Sequence, residues 1–434
     1  MLRHVYTFFF YLLTPFILLR LYWKGRKLPA YRQRISERFS WGKIVSPEVD
    51  IWLHAVSLGE VVAATPLIDA LLTQGLRVLV TTMTPTGSQQ VMTRFGSKVS
   101  HQYLPYDLPW ALRRFFKKIN ARVGVIMETE LWPNLIWQAT RFQLPLLLLN
   151  ARISDKAYGS YQKTRFFFRP FLLQFQGIFA QSELDGKRFI ELGAPAERVH
   201  ALGNMKFDLQ INGFESALFK QFKRSWGEQR TVLIAASTHD DEESQLLTSF
   251  IKLRHAIPDL VLLIAPRHPE RFKTVYELSQ QHGYKTSLRS QPDTVDVNAD
   301  VVVLDSLGEL LGFYQVSNYA FVGGSLVPIG GHNVLEPIAM QVPVFCGPYM
   351  HNSKSICSDL CAAGAMQQVQ DVDALVAAMV AMHHDPLMRE RQILNANTVL
   401  EVNKGSVAKC LVEIVKWYDL SCKSSHSGEG VNLR

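Results

Sequence analysis

Six short segments concentrate the side chains able to do chemistry, and each one follows an apolar run. The first is His54-Ala-Val-Ser57-Leu-Gly59-Glu60. Gly59 permits a tight turn, and Glu60 falls in the first turn of the amphipathic segment that follows. There the helix dipole favours the carboxylate, leaving it able to take a proton. Ser57-x-x-Glu60 is equally a capping box, a purely structural device, so this corner alone favours the cap. The second is Met127-Glu128-Thr129-Glu130-Leu131-Trp132-Pro133-Asn134, two carboxylates and a Trp at a strand end. They suit a polar pocket wall or a solvated helix start with its early Pro. The third, Gly203-Asn204-Met205-Lys206-Phe207-Asp208, offers Lys206 to a phosphate, a weak signal by itself.

The other three lie in the second half. In Ala265-Pro266-Arg267-His268-Pro269-Glu270-Arg271 a rigid turn presents Arg267, whose guanidinium can hold a phosphate through two bonds. Asp305-Ser306-Leu307-Gly308-Glu309-Leu310 turns through glycine into a helix. The most specific segment runs from Phe321 to Pro337 and contains Gly323, Gly324, Gly330 and Gly331. Four glycines so close let backbone N–H groups approach a phosphate, with the start of a helix near Asn333 aimed the same way. Asn333 and Glu336 are three apart on one helical face, and a carboxylate there can accept both hydroxyls of a ribose. The segment is neither a P-loop nor a GxGxxG fingerprint. The run from His239 to Glu243 reads as a helix start, with Thr238 as cap and an acidic first turn, and no metal is assigned to it.

Positioning these corners requires strands that end where they begin. Runs over 50–56, 76–83, 121–127, 144–150, 177–180 and 199–202 alternate with helical patterns over 60–74, 86–95, 108–119 and 131–143. A second set follows at 231–236, 260–265, 301–304, 319–322 and 342–345. Continuous Val, Ile and Leu suit strands covered on both faces. The repeated alternation predicts two doubly wound α/β domains, over 46–205 and 229–420, with a linker at 206–228 and a disordered tail at 421–434. Ligands in such sheets bind beyond the carboxyl ends of the strands, where the corners fall.

Composition narrows the partners. The 434 residues are 47% hydrophobic and 19% charged, which excludes a disordered chain. The formal charge is +8, and residues 1–45 account for all of it, with nine Lys and Arg against Glu37 alone. The globular remainder is balanced, so a nucleic-acid partner is excluded. Residues 5–23 are apolar or aromatic except Thr7, Thr14 and Arg20. As a helix they span roughly 28 Å, the thickness of a hydrocarbon core. Tyr22, Trp23 and a basic collar follow, which places the bulk of the chain on the cytoplasmic side. Residues 1–45 are therefore a single N-terminal anchor; a helix lying in the interface, or a shallow hairpin broken at Pro15, is the other arrangement the pattern allows. Five cysteines without a CxxC pair suit free thiols in a reducing compartment.

The motifs HAVSLGE, METELWPN, GNMKFD, PRHPER, SLGEL and GGSLVPIGGHNVLEP, in this order behind an apolar N-terminus, resemble those of the 3-deoxy-D-manno-octulosonic acid (Kdo) transferases of Gram-negative bacteria. The resemblance covers nearly the whole chain. It implies a GT-B glycosyltransferase at the inner membrane, with two Rossmann-like domains facing across a cleft. The N-terminal domain would bind the lipid A precursor (lipid IVA) and the C-terminal domain CMP-Kdo, with no cofactor and no metal. Carried over by motif, Glu60 is the general base, and Glu130 and Lys206 stabilise the transition state. Pro266, Arg267, Leu307, Gly308, Glu309, Asn333, Val334, Leu335 and Glu336 would form the CMP site. Competing readings are a GT-B enzyme using a UDP-sugar on a lipid acceptor, a sugar-nucleotide epimerase of the same architecture, and a non-catalytic glycolipid-binding protein. The epimerase has no use for an anchor.

Overall fold

The computed structural model describes residues 2–42, 48–208, 216–226, 230–290 and 298–427. The chain forms two compact units. One comprises Met1–Asp208 with Asn403–Arg434, and the other Leu209–Val402.

The first unit is built on a parallel sheet of β1 (Ile51–His54), β2 (Val78–Thr82), β3 (Ser100–Tyr103), β4 (Val123–Met127), β5 (Leu146–Ala151), β6 (Phe175–Ala180) and β7 (Val199–Ala201). Their order is β3-β2-β1-β4-β5-β6-β7, so the strand order reverses between β1 and β4 while every pairing stays parallel. Strands β1, β2, β4 and β5 are buried along their whole length, as their unbroken apolar runs require. Trp52, Phe115 and Leu135 pack on one face, and Leu53, Leu67 and Val125 on the other.

The second unit holds β8 (Val232–Thr238), β9 (Val261–Pro266), β10 (Thr286–Leu288), β11 (Val301–Val303), β12 (Tyr319–Val322), β13 (Val344–Cys346) and β14 (Gln367–Gln368). All pairings are parallel, in the order β10-β11-β9-β8-β12-β13-β14. Here the reversal lies between β8 and β12.

Three expectations need correction. The last helix, Ser406–Ser427, belongs to the first unit rather than the second, with Cys410 and Ile414 in the first unit's core. Asp208 fixes its start by accepting the N–H groups of Gly405 (2.7 Å) and Val407 (2.6 Å). The tail is thus helical through Ser427, and only 428–434 lie outside the described residues. Within the expected linker, Ser216–Trp226 is a helix whose Phe219 and Phe222 pack against Phe313; residues 209–215 and 227–229 lie outside the described residues.

The N-terminal helix, Leu2–Lys27, is long and apolar enough to cross a membrane. One flank rests on the first unit. Arg3 (3.1 Å) and Thr7 (3.0 Å) both donate to Asn134 Oδ1, Arg3 lies 3.5 Å over the Trp137 ring, and Phe10 meets Trp132 edge to face. The other flank exposes Val5, Phe8, Phe9, Leu12, Phe16 and Leu19.

Candidate active site

In the first unit the strand ends beside the reversal carry carboxylates. Glu60 stands in the first turn of the helix Leu58–Thr73, directly beyond β1, and is 7% exposed. Its carboxylate accepts from the Val56 N–H (2.8 Å) and the Ser57 hydroxyl (3.0 Å). Ser57 makes no side-chain cap, and Glu60 accepts from the N–H of Val56 rather than that of Ser57, so neither half of the capping box is formed. Burial, then the charge of Glu128, pushes the Glu60 carboxyl up to about 7, although the Val56 bond opposes the shift. Glu130 adds to the rise. The helix dipole was expected to hold Glu60 ionised; desolvation and like charge outweigh it.

Glu128 leaves β4 in a left-handed conformation, φ 56°, which is sterically costly for a residue with a Cβ. Its carboxylate meets Lys206 Nζ at 3.1 Å. Glu130 accepts from Trp132 Nε1 at 2.5 Å, and burial raises its carboxyl above the usual carboxylate range. Lys206 is placed by Asn204, whose Oδ1 accepts the Lys206 N–H (3.0 Å) while its amide donates to Gln181 (3.1 Å). The structure therefore brings Glu60, Glu130 and Lys206 into one electrostatic group through Glu128. Sequence reasoning saw Glu128 only as a wall residue, and the signal that could have found it was its place directly after the last residue of β4.

In the second unit a cavity of about 300 Å³ opens beyond the ends of β8, β9 and β11. Seven expected residues line it: Pro266, Arg267, Leu307, Gly308, Glu309, Asn333 and Glu336. Val334 and Leu335 do not. Their apolar side chains turn into the core at 1% and 2% exposure, so only their backbone could meet a ligand. Arg267 is exposed and has no ion-pair partner among the described residues. Glu309, by contrast, is bound by Arg289 (2.8 Å) and by the Ser306 hydroxyl. Gly308 has φ 84°, a turn that a side chain would strain. Asn333 precedes the short helix Leu335–Ala339, capping the Leu335 N–H (3.0 Å) and donating to Glu336 (3.0 Å). The contact between Asn333 and Glu336 is real, but only Glu336 is on the helix. Burial raises the Glu336 carboxyl, and Asn333 opposes that.

The glycine-rich loop does not work as expected. Its amides are spent inside the protein. Gly324 (2.6 Å), Ser325 (2.9 Å) and Leu326 (2.8 Å) all donate to the fully buried carboxylate of Glu242, as does His239 N–H (3.1 Å). Gly323 N–H goes to Ala236, and those of Gly330 and Gly331 to the Gly324 carbonyl. The anion in this cradle is the protein's own. Glu242 and Glu243 do form the acidic first turn expected, but the helix is entered through Asp241 rather than capped by Thr238, and both carboxylates face inward. Glu243, also fully buried, holds Arg271 (2.9 Å) and the Thr238 hydroxyl (3.1 Å). The glycines serve close packing instead: a Cβ on Gly323 would lie 2.6 Å from the Ser237 carbonyl oxygen.

Comparison with known proteins gives the family. Residues 33–209 match the family model described as 3-deoxy-D-manno-octulosonic-acid transferase (kdotransferase). The 3-deoxy-D-manno-octulosonic acid transferase of Haemophilus influenzae is 38% identical over 96% of this chain and 99% of its own length. That of Bordetella pertussis is 31% identical over the same shares of the two chains. Among solved structures, UDP-GlcNAc 2-epimerase from Neisseria meningitidis bound to UDP-GlcNAc aligns over 85% of this chain and 99% of its own, with a TM-score of 0.55. At 14% identity that likeness shows only the fold, two doubly wound units of the GT-B type. With full-length relatives above 30% identity, the chain belongs to the 3-deoxy-D-manno-octulosonic acid transferase family and is a glycosyltransferase.

Proposed function

We propose that this enzyme moves Kdo from CMP-Kdo to the lipid A precursor, with Glu60 as general base. The observation that carries the reading is the environment of Glu60. It is a buried carboxyl held in place by two hydrogen bonds, with a pKa of about 7. A base is most effective when its pKa lies near the working pH. The acceptor hydroxyl oxygen attacks the anomeric carbon of Kdo, and its proton goes to Glu60. The bond from that carbon to the phosphate breaks with inversion, and its electron pair leaves on CMP. Arg267 balances the growing phosphate charge without losing a partner. Glu130 and Lys206 stabilise charge on the acceptor side.

In this reading the second-unit cavity takes the CMP moiety. Glu336 accepts the ribose hydroxyls, and Pro266, Leu307, Gly308, Glu309, Asn333, Val334 and Leu335 complete the site. The exposed flank of Leu2–Lys27 and the basic residues after it seat the enzyme on the cytoplasmic face of the inner membrane, where an anionic, acylated acceptor resides. Incubation of the purified protein with CMP-Kdo and tetra-acylated precursor, followed by mass spectrometry of the lipid, tests this. Whole Kdo units gained by the lipid are the expected result, and their number sets the multiplicity. No gain and no CMP release would point to another donor; CMP release alone would point to another acceptor.

A further inference from the structure

The strand order of the second sheet reverses between β8 and β12, and two histidines meet at that point. His239 directly follows β8, and His332 lies in the loop after β12 and lines the cavity. Their Nε2 atoms are 2.8 Å apart. The rings are coplanar within 1° with centroids 5.1 Å apart, so they meet edge to edge through nitrogen and do not stack. One of the two must donate. Gly324 makes the meeting possible: with φ 66° and no side chain, it leaves open a position that a Cβ would fill, 3.1 Å from the His332 ring and 3.4 Å from that of His239.

We propose that His332 is a further donor-binding residue, offering Nδ1–H to an anionic oxygen in the cavity, and that His239 is the positioning residue that sets this tautomer. The inference rests on the reading of the cavity as the CMP-sugar site. When His239 donates, His332 accepts at Nε2 and its one proton is on Nδ1, the ring nitrogen with no partner among the described residues. Both rings are neutral near pH 7. Burial, the opposing histidine and Arg267 pull His332 down to about 4, and burial with His268, Arg267 and Arg271 lowers His239. A neutral N–H donor thus stands beside the guanidinium of Arg267, which has no ion-pair partner among the described residues. The other cation nearby, Arg271, is already held by Asp240 and Glu243. Two anionic groups of the donor could use this corner, the nucleotide phosphate and the sugar carboxylate.

Calorimetry on the full-length protein in detergent separates them, with cytidine 5′-monophosphate and cytidine as probes and His332→Ala and His332→Asn as variants of confirmed fold. A roughly 5- to 30-fold loss of cytidine 5′-monophosphate affinity, with cytidine unchanged, assigns the phosphate. Unchanged nucleotide affinity with a KM for CMP-Kdo raised at least about 5-fold assigns the carboxylate. If neither constant moves, the proposal is wrong while the function stands. If the wild type binds no cytidine 5′-monophosphate, both fall. His239→Ala should reproduce much of the defect, and His239→Gln, which keeps an N–H donor, should restore most of it. Imidazole ¹⁵N spectra should show the His332 proton on Nδ1 in the wild type with nucleotide bound, and mixed tautomers in His239→Ala. An unchanged tautomer in His239→Ala would overturn the positioning role.

Discussion

The two units present opposite chemistry at equivalent places in their sheets. Beyond β1 and β4 the first unit gathers three carboxylates against one lysine, and burial with like charge lifts Glu60 into the physiological range. Beyond β8, β9 and β12 the second unit holds two neutral imidazoles and Arg267, which has no ion-pair partner among the described residues, and its buried Glu242 is turned inward on four backbone amides. In the proposed function the first corner takes up a proton and the second receives an anion. The same strand-end geometry serves both, and what differs is which charges have been satisfied within the protein.

The largest effect should come from removing the proposed proton acceptor. Glu60→Gln is expected to lower kcat for Kdo transfer by about 10²- to 10⁴-fold, with nucleotide affinity unchanged. A loss shared equally by nucleotide binding would erase the contrast between the units. On the anion side, Arg267→Ala should weaken cytidine 5′-monophosphate binding by about 10- to 100-fold by calorimetry. Added salt should narrow that gap, because the guanidinium is exposed.

Glu242→Gln tests whether the loop's anion is structural. It leaves buried N–H donors facing an amide group, which costs about 3 kcal/mol and lowers the melting temperature by roughly 6–12 °C. Nucleotide binding should fall with the fold. A variant that melts normally and loses only binding would mean that the carboxylate acts on the ligand.

The smallest effect runs the other way. Because the Glu60 carboxyl lies near 7 when folded and near 4.5 in its ordinary range, the folded state keeps a proton that the unfolded chain has released. Its stabilising influence is therefore fully present below about pH 4.5 and is lost as pH rises through 7. Glu60→Gln should melt a few degrees above the wild type at pH 8, by scanning calorimetry, and the difference should vanish toward pH 5.

Much of this was legible in sequence, for identifiable reasons. Strands such as Leu146–Ala151 and Val232–Thr238 are built on continuous apolar runs that give way to polar residues only at their ends, so both sheets and the corners beyond them could be read directly. Ser100–Tyr103, Thr286–Leu288 and Gln367–Gln368 escaped because these short edge strands, rich in polar residues, carry no such run. Glu60, Arg267 and the segment Leu307 to Glu309 stood out because they follow apolar runs, Asn333 and Glu336 because they close a glycine-rich segment, and their grouping as one site came from the family resemblance. Glu242 is legible in sequence only as part of an acidic first turn, because its partners, Gly324 to Leu326, lie over eighty residues away and no local pattern connects them. The return of Ser406–Ser427 to the first unit depends on Asp208, a contact nearly two hundred residues apart in sequence.

The most direct test is the pH dependence of kcat/KM for Kdo transfer in the wild type and in Glu128→Gln. A wild-type rate that climbs about tenfold per pH unit and levels near pH 7, with the inflection moving to lower pH once the Glu128 charge is removed, is the predicted result. A profile flat from pH 5.5 to 8.5, or an inflection that ignores Glu128, would contradict Glu60 as the base.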